Sequence, residues 1–293
     1  LEQQHLPLGQ LRDVLRDALR YLADRQRSDG NLGADATTYA QMYCHSMATF
    51  ALAEAMALTG DQRLEPTVRR AVGYSHRAQH PTGGGWRYRP GQSGDTSQLG
   101  WQLMALRSAQ LAGVEIPSTT WTGADRFLRS VARGRHGGLA SYRPDVPASR
   151  TMTAEALYCR QLLTAMVGGQ VETAAASEAA AHLLDEAPGY GQFNLYYWYY
   201  ATLALHQLQH ANQEFAPAWR DWNLAMKNAL LSAQQGDGRH AGSWAPSCVW
   251  GGYGGRVYST ALATLCLEVY YRYAPTEGDR RWIATRPSEE TLR

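Results

Sequence analysis

Apolar residues in this chain recur at helical spacing, and the helical runs are of two kinds. Runs of the first kind carry charge on one face. They are Leu8 to Arg27, Leu64 to Gln79, Trp121 to Arg133, Glu172 to Leu184 and Ala216 to Gln235. In the first of them Leu11, Leu15, Leu19 and Leu22 fall in line, with Arg and Asp pairs opposite. Runs of the second kind are nearly free of charge: Thr37 to Leu58, Asp95 to Ala112, Thr151 to Met166, Asn194 to Gln209 and Arg256 to Tyr273. A helix that is apolar or small on every side has to be covered on every side. The alternation therefore predicts pairs of one outer, solvated helix and one inner, buried helix.

Gly-rich turns punctuate the pairs. Leu32, Trp86 and Leu139 each follow such a turn and lie about 53 residues apart, and Trp244 falls about two periods further on. Repeats of that length are stacked helix pairs. Five pairs predict an all-α fold, an α/α toroid in one domain over residues 1–275, with a polar, frayed tail at 276–293. An open solenoid is the other arrangement of such pairs, but it does not require every second helix to be free of charge.

Composition narrows the classes of function. Lys and Arg number 28 against 26 Asp and Glu, a net charge of +2, so no charge bias directs the chain to nucleic acid or a membrane surface. No apolar run reaches the roughly 18 residues of a bilayer span. Trp (9) and Tyr (17) are abundant and Phe (4) is scarce, a balance that suits a cavity wall as well as a core. Cys44, Cys159, Cys248 and Cys266 form no CxxC and no dense framework, so disulfides are not expected. The chain starts at Leu1 without Met or a signal-peptide pattern, reads as an excised domain or processed product, and leaves its compartment unread.

Several motifs carry a resemblance. Gln79-x4-Gly84-Gly-Trp86 resembles the QW repeat of squalene–hopene and oxidosqualene cyclases, with a weaker echo at Gln26-x3-Gly30-x-Leu32 and a longer one from Gln235 to Gly242-Ser-Trp244. The inner helices are similar to those of protein prenyltransferase β subunits. GGGWRY at 83–88, GDTSQLGWQLMAL at 94–106, MTAEALYCRQ at 152–161, YYWYY at 196–200 and the run at 254–273 resemble, in this order, the prenyltransferase/squalene-oxidase-repeat proteins of planctomycete-type bacteria. The resemblance covers residues 10–275 and implies the toroid fold.

It does not carry the catalytic motifs with it. Class II cyclases protonate an alkene with the middle Asp of DxDD; the matching run here is Gln92-Ser93-Gly94-Asp95-Thr96, with Gly94 at the donor position. The zinc ligands of prenyltransferases fall, by register, on Gln192, Asn194, Tyr196 and Ser259, a poor set for zinc. The resemblance thus implies no zinc site and no cofactor.

What the toroid would gather at one mouth is the polar and aromatic set at the starts of the inner helices. The candidate ligand-binding residues are Tyr43, His45, Asp95, Gln98, Trp101, Arg150, Glu155, Asn194, Tyr196, Trp198, Arg256 and Tyr258. Arg150 and Arg256 are placed to grip an anionic group, and Asp95 and Glu155 are the candidate acid–base residues. Each has a plainer reading. Asp95 before Thr-Ser is also a helix N-cap, and Glu155 in a first helical turn complements the helix dipole. Arg256 also fits a buried ion pair with Glu155 or Asp95, and YYWYY must face several directions at once. Adjacent Cys44 and His45 diverge by about 100° on a helix, so no metal is expected there.

Three functions follow. The first is a non-cyclase relative that binds an elongated apolar or isoprenoid-like molecule with an anionic head. The second is an enzyme with altered acid–base residues, and the third a scaffold for a protein partner or for further domains of a longer chain.

Overall fold

A computed structural model describes residues 8–33 and 35–272. Their named secondary structure is helical apart from one two-stranded hairpin. In chain order the elements are α1 (Leu8–Asp24), α2 (Thr38–Thr59), α3 (Glu65–Ala78), α4 (Thr96–Leu111), α5 (Ser118–Ser130), β1 (Ala132–Arg133), β2 (Leu139–Ala140), α6 (Arg150–Val167), α7 (Thr173–Leu184), α8 (Leu195–Ala211), α9 (Ala216–Ala233), α10 (Gly251–Leu267) and α11 (Val269–Arg272). The chain divides into two compact units, one ending at Phe127 and the other beginning at Leu128. No helix among the described residues is long and apolar enough to cross a membrane.

In unit one, α2 packs along α4, with α3 against both. Thr96 to Leu106 of α4 are all buried, as expected of a run with no charged face. Unit two repeats the scheme: α6 packs along α8, α8 also meets α9 and α10, and Leu195 to His206 of α8 are buried without a break. Three of these buried helices open on a side-chain cap. Asp95 accepts from the Gln98 N–H at 3.1 Å, Ser149 from Met152 at 3.3 Å and Asn194 from Tyr197 at 3.1 Å.

The Gly-rich turns are held by glutamine and tryptophan. The Gln79 amide donates to the carbonyls of Gly84 at 2.7 Å and Thr120 at 2.9 Å, joining the end of α3 to its turn and to α5. Gln26 does the same one repeat earlier, donating to Gly30 and to Thr67 of α3 at 3.2 and 2.8 Å. Gly84 sits at φ 78°, and a Cβ there would lie 1.9 Å from the Gly123 carbonyl oxygen, so no side chain fits. Trp86, wholly buried, donates its indole N–H to the Ser75 carbonyl at 2.7 Å; Trp244 donates likewise to Leu230 at 2.8 Å. At that last turn Gln234, not Gln235, makes the glutamine bond, to Gly242 at 2.8 Å.

The structure departs from the sequence pattern in three places. Leu139 lies in a hairpin, not a bare turn: β1 and β2 pair antiparallel with Ala132 opposite Ala140 and Arg133 opposite Leu139. Gly134 and Gly137, both at positive φ, turn the chain there, after the preceding helix has ended at Ser130. In this repeat Glu178 holds the turn, accepting backbone N–H bonds from Arg135, His136 and Gly138. Second, α10 is two segments: a short helical stretch from Gly251 precedes the expected helix, which runs on from Arg256 after a break at Gly255 (φ 67°). Third, α10 is not covered on every side: Tyr253 is 92% and Val257 83% exposed. The expected tail at 276–293 lies outside the described residues.

Replacing Trp86 by Phe keeps a ring in the core but leaves the Ser75 carbonyl without its indole donor. We expect urea unfolding to show a loss of about 1–3 kcal/mol. A change below about 0.5 kcal/mol, the level of an indifferent surface substitution, would deny the bond that role.

Candidate functional site

The buried start of α4 and the second turn of α2 bring the polar residues of unit one together. Asp95 is completely buried. Its Oδ1 accepts from the Gln98 N–H and, at 2.8 Å, from the Ser97 hydroxyl, while its Oδ2 lies 3.5 Å from Nε of Arg87. Because the Ser97 hydrogen goes to Asp95, the Tyr43 hydroxyl at 2.6 Å donates to Ser97. Tyr43, Ser97 and Asp95 therefore form a directed chain that starts at a half-buried phenol and ends at a buried carboxylate. Tyr88 lies beside it, 6.5 Å from the Tyr43 ring and under the Arg87 guanidinium at 5.2 Å. In each of these contacts Asp95 is an acceptor, the arrangement of an N-cap rather than of a proton donor.

His45 does not join this group. The Leu32 N–H donates to its Nδ1 at 3.1 Å, which puts the ring proton on Nε2. Nε2 meets the Ser75 hydroxyl at 2.9 Å, and Ser75 donates to Gln102 Oε1 at 2.9 Å. Both ring nitrogens are committed within the core, so the ring is unavailable to a ligand. Burial lowers its pKa to about 3, against a smaller opposing effect of Asp29.

Gln98 is the residue that stands out. It is completely buried, and neither its amide oxygen nor its amide nitrogen has a hydrogen-bond partner. One turn on, on the same face of α4, the amide nitrogen of Gln102 is likewise buried and unpartnered. Trp101, 3% exposed, lies between them in sequence. A buried primary amide without partners costs about 1–3 kcal/mol for each unmet group, and native proteins seldom carry one without a reason.

In unit two, Glu155 of α6 is completely buried and accepts from the Tyr196 hydroxyl of α8 at 3.0 Å. Tyr196 stacks edge-on with Tyr200 at 5.1 Å. Burial, and then the Glu155 charge, push the Cys159 thiol and the Tyr200 phenol well above their ordinary pKa values, so both stay protonated. Trp198 is core, packed edge-on against Phe193 at 4.8 Å, and Asn194 caps α8.

The two arginines expected to grip an anion are engaged elsewhere. Arg150 donates to the His182 carbonyl at 3.1 Å and pairs with Glu186 at 3.3 Å, closing the C-terminal end of α7. Arg256 donates to Gln235 Oε1 and to the Ser243 hydroxyl, both at 3.1 Å, and so braces the turn before Trp244; its expected ion pair with Glu155 or Asp95 is replaced by these neutral acceptors. Tyr258, half-buried, has its phenol pKa raised by burial. Ser259, at a zinc-ligand register position, bonds to the Gly255 carbonyl and the Cys248 thiol.

Sequence reasoning thus names Tyr43, Asp95, Gln98, Glu155 and Tyr196 as residues that meet or await polar partners. It misses Ser75, Ser97, Gln102 and the pair His206 and His210. The pair had a readable signal, two histidines four apart on one helix; the serines had none. Among the described residues no three metal-ligating side chains converge. No protein-family model and no curated protein matches the chain.

The His45 pKa gives a signed prediction. A histidine held neutral in the fold and titrating near its ordinary value when unfolded lets the unfolded chain bind more protons between pH 6.5 and about 3. Stability is therefore lost as pH falls through that window. Between pH 7 and 5 the contribution of this residue is on the order of 2 kcal/mol. Denaturant unfolding at both pH values should show this excess slope in the wild type and not in His45→Gln; equal slopes would contradict it.

Proposed function

We propose that this is a non-cyclase protein of the squalene-cyclase/prenyltransferase kind, an α/α toroid that binds an elongated apolar, isoprenoid-like molecule against its inner helices. The fold part of this reading is supported by the alternation of one-faced and all-round-buried helices. Support also comes from the packing of inner helix on inner helix within each unit, α2 on α4 and α6 on α8. The turn bonds of Gln26, Gln79, Trp86 and Trp244 give a physical basis for the QW-like spacing.

One observation carries the binding part: the buried amide of Gln98, with both polar atoms unpartnered beside Trp101. A ligand that places a polar group there regains the hydrogen bonds that the core withholds, while its apolar body replaces water at aromatic and aliphatic side chains. Arg150 and Arg256 are committed to their own turns, so this polar group meets a carboxamide and not an arginine pair. It is therefore a hydroxyl, carbonyl or carboxylic acid rather than a diphosphate. Asp95 and Glu155, both acceptors in their bonds, support binding more than acid catalysis.

A second reading rests on the surface of unit two. Val249, Trp250, Tyr253 and Val257 are 41%, 49%, 92% and 83% exposed, an apolar cluster of the sort that covers a partner protein.

Native mass spectrometry of the gently purified protein, followed by denaturing extraction, should release one discrete apolar molecule carrying a single polar group. Gln98→Met conserves volume and removes the unmet amide; it should lower ligand retention and raise the stability of the stripped protein by about 1–3 kcal/mol. A ligand-free mass in the wild type, or a destabilised Gln98→Met, would favour the partner-protein reading.

A further inference from the structure

The last turns of α8 carry two imidazoles that neither the core nor the reading above uses. His206 and His210 stand four residues apart on one helix face, their ring centroids 4.7 Å apart and their Nε2 atoms 3.3 Å apart. His206 is 4% exposed, wedged edge-on between Trp219 of α9 at 4.9 Å and Tyr270 of α11 at 5.8 Å. Its Nδ1 is buried with no hydrogen-bond partner, so the ring is bonded to His210 and to nothing else. His210 is exposed.

Two neutral imidazoles in this relation share one hydrogen, donated from one Nε2 to the other. They are also a two-toothed chelate. Metal–nitrogen bonds to zinc are about 2.0–2.1 Å. Two such bonds to nitrogens 3.3 Å apart enclose an angle of about 105–110°, the tetrahedral value that zinc adopts. An octahedral ion, with a right angle between adjacent ligands, would need the nitrogens closer.

We propose that His206 and His210 form a binding site for a divalent transition-metal ion of tetrahedral preference, zinc above all, at the C-terminal end of α8. On binding, both Nε2 lone pairs turn to the ion and the shared hydrogen moves to a ring Nδ1. No proton leaves the protein. The end of a helix contributes a partial negative charge that favours a cation. Trp219 and Tyr270 hold the His206 ring in place, and that order precedes binding. The remaining coordination positions face the exposed side, at His210, and are filled by water, since no third ligating side chain converges there among the described residues. Lys227, whose ammonium lies 4.8 Å over the Tyr270 ring, opposes the ion and limits its affinity.

This site is independent of the ligand reading, and its test is separate from it. Zinc is titrated by calorimetry into the whole protein carrying Cys44→Ser, which removes an exposed competing thiol, and into the same protein with His210→Ala. His210 is exposed, so the variant keeps the fold, and circular dichroism verifies it. One zinc per chain with a tenfold or greater loss of affinity in His210→Ala is the expected result. Equal affinities in the two proteins, or no one-to-one binding in the first, would overturn the assignment.

Discussion

Ser75 ties unit one together. Its carbonyl receives the Trp86 indole, its hydroxyl faces His45, and it donates to Gln102. Through these bonds one small residue on α3 joins α2, α4 and the turn that precedes α4, and through His45 it reaches the Leu32 backbone of the first turn. None of these groups meets water. A polar chain in such a place is favourable only when every member is satisfied and the histidine is neutral. The direction of the bonds keeps the histidine neutral, because the Leu32 N–H at Nδ1 leaves only Nε2 to carry the proton, and the one group of the chain left unmet is the Gln102 amide nitrogen. Around this knot pack apolar side chains of α2, α3 and α4 such as Leu52, Val68 and Leu99. In that setting Gln98, a turn away, departs furthest from the rule, because both of its amide atoms lack partners where Gln102 lacks one.

The two units solve the same problem with different residues. Each must end an outer helix, reverse the chain through glycines and start a helix that faces no solvent. In unit one, glutamine amides reach from the helix end to the turn and on to the next outer helix. In unit two, Glu178 gathers three backbone N–H groups of the 134–138 turn from the other side. Burial would raise its carboxyl pKa, and the three N–H bonds outweigh this and lower it. Arg160 completes that turn by donating to the Gly138 carbonyl at 2.8 Å. Arg256 and Gln234 divide the task at the last turn. The spacing of the repeat persists because geometry demands it, while the side chains that satisfy it change.

This explains which parts of the fold were legible in the sequence. Helices without a charged face announce burial, and Asp95 and Asn194 announce helix starts, because both signals are local. The hairpin at 132–140 is not local: Gly134 and Gly137 read as a turn, and only the pairing across it makes two strands. Arg256 read as a helix start, and a helical segment does begin there after the non-helical Gly255; the short helical stretch from Gly251 that precedes it gave no such signal. Site residues follow the same division. Gln98 was legible as a polar residue on a buried helix, but its lack of partners depends on every neighbour. Arg150 and Arg256 looked available because their partners, the His182 carbonyl and the Gln235 and Ser243 oxygens, lie far along the chain or carry no charge to betray them.

The central claim is that α4 holds a buried amide open for something other than protein. The most direct measurement is the electron density at Gln98 in crystals of the natively purified protein, at a resolution that shows ordered water. The account predicts continuous non-protein density longer than a water molecule, within about 3 Å of both amide atoms. Neighbouring side chains closing on both atoms, or one isolated water satisfying them, would contradict it.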